Sequence, residues 1–136
     1  MGERYEVRPI GRVESPVQDR AAAPKQGEEG APDAWLVFDP AVADGVRDLA
    51  VGAEILLLTW LDRADRGVLT TRPRDDPANP ETGVFATRSP DRPNPIGLHR
   101  VTVLARSGLR LRVGPLEALD ATPVVDVKPV LGPLER

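Results

Sequence analysis

Residues 83–98, with the sequence GVFATRSPDRPNPIGL, hold three prolines, two arginines and an asparagine between two short apolar segments. Each proline fixes its own φ near about −65° and biases the preceding residue toward extended backbone. Ser89, Arg92 and Asn94 each precede a proline, so they have few conformations to lose when a ligand binds. This composition is typical of a preorganised binding loop.

The polar side chains of this loop suit an anionic or nucleotide-like ligand. Arg88 and Arg92 carry planar guanidinium groups that match carboxylate or phosphate, and Asn94 offers both donors and an acceptor. The alternative is a stiff surface loop with ordinary solvated charges, since charged residues in loops are mostly exposed.

Three segments together resemble the TsaA-like (TrmO/YaeB) family. Residues 83–98 are similar to its signature G-x-F-A-T-R-S-P-x-R-P-N-P-I-G, and residues 10–16 resemble its N-terminal strand and turn. Residues 120–129, DATPVVDVKP, are similar to its block D-G-T-P-V-x-D-I-K-P. The resemblance covers nearly the whole chain. It implies a small β-barrel that binds S-adenosylmethionine, in a family whose best-known members methylate threonylcarbamoyladenosine beside the anticodon of tRNA.

Length and composition are compatible with one small β domain. The 136 residues predict a single domain, 1–136, and only four per cent of them are aromatic, so Val, Leu, Ile and Ala must form the core. The absence of cysteine excludes disulfides and thiolate chemistry, and one histidine leaves little for a metal site, so we expect no metal. No apolar run approaches the roughly 20 residues of a membrane helix, and no secretory signal begins the chain. A soluble cytoplasmic protein is expected.

Short alternating or apolar segments predict about seven strands with frequent turns. Such a pattern favours a mainly β, closed or nearly closed barrel with one short helix. The helix has Asp39 as N-cap and Pro40 as its first residue, and Val42, Val46 and Leu49 share its buried face. The predicted strands are residues 5–13, 34–38, 54–61, 68–72, 96–105, 109–113 and 124–127.

Two regions of the cofactor site follow from the resemblance alone. Residues 18–33 predict a flexible loop, in which the resemblance places Pro24, Lys25 and Gln26 against the cofactor. The family usually ends its central strand in a histidine with a polar neighbour. Leu61, Asp62 and Arg63 stand there instead, a departure from the pattern at positions expected to adjoin the cofactor.

The matched motifs supply the other cofactor contacts. Arg88 can reach the methionyl carboxylate, and Leu98 would give the adenine backbone groups and apolar contact. The turn formed by Asp120, Ala121, Thr122 and Pro123 would add main-chain groups, with Asp120 available to a ribose hydroxyl. Ala121 replaces the usual glycine, so a positive φ there would strain the turn.

Methyl transfer needs chiefly an aligned acceptor and exclusion of water, and a carboxylate can take the proton of an acceptor nitrogen. We predict Asp126 for that role, with Lys128 and Arg92 as the other catalytic residues and with Arg92 and Asn94 binding the substrate. The alternative for Asp126 and Lys128 is a structural ion pair at a strand end. His99, the one histidine, lies next to a strand without a visible partner.

The net charge of the protein does not identify its substrate. The net charge of −3 and pI near 5.2 argue against a protein wrapped in phosphate contacts, so any tRNA contact must be local. A methyltransferase for tRNA is favoured; a methyltransferase for a small molecule and a non-catalytic S-adenosylmethionine-binding module are the alternatives. The resemblance also implies a homodimer with the cofactor site near the subunit contact. A local patch could come from seven arginines, Arg63, Arg66, Arg72, Arg74, Arg88, Arg92 and Arg100, although aspartates are interleaved with them.

Overall fold

The computed structural model describes residues 2–18 and 30–132. Among them are eight strands, and six of these close into an antiparallel barrel in the order β1-β2-β7-β6-β3-β8, while β4 and β5 pair separately. The predicted mainly β barrel is confirmed. The strands are β1 Gly11–Glu14, β2 Ala34–Phe38, β3 Glu54–Trp60, β4 Thr70–Thr71, β5 Thr82–Gly83, β6 Ile96–Ser107, β7 Arg110–Gly114 and β8 Pro123–Pro129.

The helix begins as its sequence predicts. The Asp39 carboxylate accepts the N–H of Ala41 at 2.9 Å, and Pro40 opens a 3-10 turn, Pro40–Val42, that continues into α1, Ala43–Val46. Val46 is buried and Val42 and Leu49 pack against the core, so the predicted apolar face is confirmed. No helix among the described residues is long and apolar enough to cross a membrane.

A cationic side chain stabilises the C-terminal end of the helix. Arg106, near the end of β6, donates from Nη1 to the carbonyl oxygens of Val46, Arg47 and Leu49, each at 3.0 Å. Carbonyls at a helix end lack partners within the helix and carry partial negative charge, so a guanidinium stabilises them. This contact joins the helix to the barrel wall.

Two predicted strands are longer than the observed ones. Residues 5–10 are not a strand, because pairing of β1 with β2 and β8 begins at Gly11, and Tyr5 is 85% exposed. Pro9 has no N–H for a ladder, and residues 5–9 are all exposed, whereas Ile10 packs against the core. The predicted strand at 68–72 is reduced to Thr70–Thr71 in a two-stranded ribbon with β5.

The inner wall of the barrel is apolar along most of its length. It includes Leu36, Ile55, Leu57, Val101, Val103, Leu111, Val113 and Val124. Near one end the same face carries two buried polar residues, Thr59 of β3 and His99 of β6. Buried polar groups require hydrogen-bond partners, so this end of the barrel differs chemically from the rest.

Candidate functional site

The first half of β6 has a neighbour on one side only. It pairs with β3 from Ile96 to Thr102, whereas its pairing with β7 begins only at Thr102, opposite Gly114. The other edge of this half opens onto a cleft of about 1120 Å³. The cleft is walled by the signature loop, the chain after β3 and the connection from β7 to β8. Its volume is sufficient for a nucleoside-sized ligand.

The signature loop is held from within by Arg92. Its Nε donates to the carbonyl of Ser89 at 2.7 Å, and its Nη2 donates to the carbonyls of Val84 at 2.8 Å and Thr87 at 2.6 Å. Three carbonyls thus converge on one partly buried guanidinium. Arg92 borders the cleft, but this arrangement favours a role in shaping the loop over the direct substrate contact that the sequence suggests.

Arg88 links this loop to the open edge of β6. Its Nη2 donates to the carbonyl of Leu98 at 2.9 Å, and both residues line the cleft. Since the N–H and C=O of one residue point the same way in an antiparallel ladder, the N–H of Leu98 also faces the cleft. The Arg88 guanidinium has four further N–H donors, so it can bind an anion without leaving Leu98.

The chain after β3 forms a second wall. Leu61, Asp62 and Arg63 line the cleft, as expected from their position in the sequence. The N–H of Leu61 donates to the carbonyl of Pro95 at 2.8 Å, and Arg63 Nη1 donates to the carbonyl of Gln18 at 2.9 Å. This wall is therefore attached to the signature loop and to the N-terminal segment. The residues expected to follow there, Pro24, Lys25 and Gln26, lie outside the described residues.

Asn94 lies two residues before Ile96, which lines the cleft, and Arg66 holds its side chain. Arg66 donates from Nη2 to Asn94 Oδ1 at 3.1 Å and from Nε to the carbonyl of Pro93 at 2.7 Å. The same guanidinium lies 5.2 Å from the ring centroid of Trp60. Asn94 is exposed, so its amide N–H₂ is accessible while its oxygen is engaged.

The turn before β8 is hydrogen-bonded to the chain segment that follows β1. Asp120 Oδ1 accepts the N–H of Ser15 at 3.0 Å, and the N–H of Asp120 donates to the carbonyl of Val17 at 2.7 Å. Ala121 has φ +67°, so it adopts the left-handed conformation expected of a glycine. Thr122 is buried and lines the cleft, and Pro123 begins β8.

Asp126 and Lys128 lie on the outer wall of the barrel. Lys128 Nζ is 3.1 Å from Asp126 Oδ2, with the two side chains 61% and 47% exposed, and neither residue borders the cleft. A register shift between β3 and β8 explains this orientation: Val124 is buried inside and Val127 also packs on the core, so Asp126 faces outward. Asp126 is opposite Leu58, which is opposite Leu98. Two strand spacings, about 10 Å, separate Asp126 from Leu98.

Sequence reasoning missed Glu117 and gave His99 no partner. The two form a pair, His99 Nδ1 to Glu117 Oε1 at 2.5 Å, and His99 Nε2 lies 2.7 Å from Thr59 Oγ1. His99 and Glu117 border the cleft, whereas Thr59 does not. Period-two alternation along β6 places His99 on the same side as Val101 and Val103, and this could have indicated a buried histidine in need of partners. Glu117 left no such signal, because it lies in an irregular connection.

Within residues 2–18 and 30–132, no group of three His, Asp or Glu side chains is arranged to hold a metal ion.

Comparison with known proteins gives a consistent result. The family model described as the tRNA-methyltransferase O N-terminal domain matches residues 12–134. A probable S-adenosyl-L-methionine-binding protein of Methanothermobacter thermautotrophicus is 42% identical over 123 residues, 90% of this chain and 88% of that protein. The tRNA (adenine(37)-N6)-methyltransferase of Escherichia coli is 34% identical over 136 residues, 93% of this chain and 58% of that enzyme.

Solved structures agree in fold. A crystal structure of TrmO from Pseudomonas aeruginosa matches 98% of this chain with a TM-score of 0.76 and 28% identity. This chain covers 58% of that structure, and only 33% of a probable S-adenosyl-L-methionine-binding protein of Archaeoglobus fulgidus that is 44% identical to it. It therefore spans one part of several of these longer proteins.

Proposed function

The chain belongs to the tRNA-methyltransferase O N-terminal domain family, and from this premise we propose that it transfers a methyl group from S-adenosylmethionine to tRNA. The acceptor is the N6 nitrogen of threonylcarbamoyladenosine at position 37, the position named for the Escherichia coli relative. The structural observation that supports this best is the open edge of β6, where Arg88 of the signature loop meets Leu98. The cytoplasm is the location that this substrate implies.

The residues of the cleft fit S-adenosylmethionine. The spare N–H groups of Arg88 suit the methionyl carboxylate, and the N–H of Leu98 suits an adenine acceptor. Leu61 and Leu98 offer apolar contact, and the turn at 120–123 lies close by through Thr122. Asp62, Arg63 and the residues 24–26 complete the proposed cofactor contacts. The archaeal relatives named as S-adenosyl-L-methionine-binding proteins support this assignment.

S-adenosylmethionine supplies an activated methyl group on sulfur. The methyl carbon leaves the sulfur with the bonding pair retained there, the new bond forms to N6, and the proton of N6 must go to a base. The signature loop, stiffened by Arg92, would align the acceptor and exclude water. Asp126 is our candidate base, with Lys128 holding its carboxylate in place at 3.1 Å.

A homodimer would bring that base to a cleft. Asp126 lies on the outer wall beside Leu58, and the wall continues to Ile96 and Leu98, which are 45% and 41% exposed. Exposed apolar side chains on one sheet face suit a two-fold contact with a second copy of the same face. In such a dimer the Asp126 of one subunit would enter the cleft of the other.

The tRNA would approach over the arginines around the cleft. Arg66, Arg72, Arg88 and Arg92 all donate to backbone carbonyls. A carbonyl satisfies the donors without cancelling the charge, so these groups remain available to phosphate at longer range. Asn94, with its free N–H₂ group, would contact the modified base.

The alternative is a binding module without turnover. Its support is specific: the archaeal relatives are named for binding S-adenosyl-L-methionine, and Asp126 lies outside the cleft of its own chain. A methyltransferase acting on a small molecule would use the same cleft and the same cofactor contacts.

Incubation with methyl-labelled S-adenosylmethionine and tRNA from cells lacking the endogenous enzyme tests the proposal. Label on threonylcarbamoyladenosine after digestion, lost in Asp126→Ala and kept in Glu54→Gln, is the expected result. Cofactor binding by calorimetry without label would favour the binding module or another acceptor. Mixing Arg88→Ala with Asp126→Ala subunits tests the shared site, because partial activity returns only if the base comes from the partner.

A further inference from the structure

A carboxylate, an imidazole and a hydroxyl form a chain at the floor of the cleft: Glu117, His99 and Thr59. We propose that Glu117 is the group that recognises the positive sulfonium of S-adenosylmethionine, and that His99 positions it. The inference rests on the proposed function and adds to it a residue that separates the cofactor from its neutral product.

The carboxylate partner determines the protonation of one nitrogen of the imidazole. A carboxylate only accepts hydrogen bonds, so His99 Nδ1 carries a proton and donates it to Glu117 Oε1. The other ring nitrogen, Nε2, lies against the hydroxyl of Thr59, which is fully buried. Both ring nitrogens are therefore engaged, and the imidazole has no nitrogen left to bind a ligand. Its effect is to fix the carboxylate of Glu117.

The second carboxylate oxygen of Glu117 is left for the cleft. Among the described residues, the hydrogen bonds of Glu117 use Oε1 alone, and its side chain is 19% exposed. The other carboxylates that border the cleft, Glu54, Asp62 and Asp75, are exposed. Among the carboxylates that border the cleft, Glu117 thus carries the most enclosed negative charge, and it contacts His99, the residue that follows Leu98 on β6.

This environment suits a sulfonium better than an ammonium. A sulfonium has no N–H, so it gains nothing from hydrogen-bond acceptors and is attracted by charge alone. Attraction between charges grows as the surroundings exclude water, because the effective dielectric constant falls. An oriented, mostly enclosed carboxylate, whose described hydrogen bonds use one of its two oxygens, meets both conditions.

The proposal also predicts how Glu117 affects turnover. As the methyl group leaves, the sulfur becomes neutral, so attraction to Glu117 is strongest before the transition state. Interactions that favour the ground state lower KM without raising kcat. Loss of the charge should therefore raise KM for S-adenosylmethionine and leave kcat undiminished, which a loss of fold would not do.

Calorimetry on the whole protein with two ligands tests the assignment. S-adenosylmethionine and S-adenosylhomocysteine differ in the methyl group and the charge on sulfur, while sharing adenosine, carboxylate and amine. Glu117→Gln keeps the size of the side chain and removes its charge. We expect the affinity for S-adenosylmethionine to fall about tenfold and that for S-adenosylhomocysteine to change less than about twofold. Asp44→Asn, which removes an exposed carboxylate on α1 outside the cleft, should change neither.

Equal losses for both ligands would overturn the role of Glu117, because they would indicate a general change in the cleft. If Glu117→Gln does not fold, Glu117→Asp, which withdraws the carboxylate by one methylene, should weaken S-adenosylmethionine selectively, and equal losses would again contradict the proposal. A wild-type protein that binds neither ligand would contradict the proposed function itself, and with it this inference.

Discussion

Arg88 Nη2 donates to the carbonyl oxygen of Leu98 at 2.9 Å, and this bond fastens the signature loop to the open edge of β6. Arg88 and Leu98 are ten residues apart in the chain. Their contact places a cation with spare donors beside a backbone N–H that no strand uses. A ligand with a carboxylate at one end and a purine at the other could use both groups together.

Replacing Arg88 by alanine should weaken S-adenosylmethionine binding about ten- to hundredfold, because a hydrogen bond to a charged group is worth roughly 1.5–3 kcal/mol. Methylthioadenosine, which lacks the methionyl carboxylate, should bind wild type and variant equally well. Calorimetry with both ligands checks this. An equal loss of affinity for both ligands would mean that Arg88 maintains the structure of the loop and does not bind the methionyl carboxylate.

Replacing Arg92 by alanine should lower the free energy of unfolding by about 2 kcal/mol, because three carbonyls of the loop lose their common donor. Lysine should not restore this stability, since its single ammonium cannot reproduce the guanidinium geometry. Denaturant unfolding gives the measurement. Arg112→Ala, an exposed arginine on β7, is the matched control and should change stability by less than about 0.5 kcal/mol.

Replacing Gly97 by alanine should destabilise the protein by about 1–3 kcal/mol, because the new Cβ would lie against Thr59 Oγ1 and 2.7 Å from His99 Nε2. Both atoms belong to a buried hydrogen bond and have little room to move. Thermal unfolding checks the effect. Gly83→Ala meets no atom within 4 Å and should be close to neutral, and a large loss there would argue against a steric cause.

Replacing Ala121 by glycine should stabilise the protein by about 0.5–1 kcal/mol. Its φ of +67° strains any residue with a Cβ, and relief of that strain exceeds the added entropy of glycine in the unfolded chain. Ala50→Gly, at an exposed position without positive φ, should instead destabilise by a similar amount. In chemical denaturation, the free energy of unfolding should rise in Ala121→Gly and fall in Ala50→Gly. A fall in both variants would contradict backbone strain at Ala121.

Much of the architecture could be predicted from local sequence. Period-two alternation located the barrel strands to within a few residues, and Asp39-Pro40 located the helix start, because these signals depend only on neighbouring residues. The prediction failed where an alternating segment has no neighbouring strand to pair with, as at residues 5–9. Strand pairing depends on the tertiary structure and cannot be read from the sequence of one segment.

The orientation of Asp126 could not be predicted. Strict alternation from the buried Val124 would turn Asp126 inward, whereas the register shift opposite Leu58 and Thr59 turns it to the outer wall and Val127 to the core. A bulge depends on how two strands meet, so the sequence of one strand does not contain it.

The sequence by itself therefore determined the barrel strands, the start of the helix and the stiff signature loop, since each depends on local backbone preference. Tertiary structure alone decided which polar groups meet. It turned the Arg92 guanidinium onto the loop it belongs to, and it brought Glu117 to His99 across the mouth of the barrel. Such contacts depend on strand register and on the path of the connection from β7 to β8, and both are set only when the barrel closes.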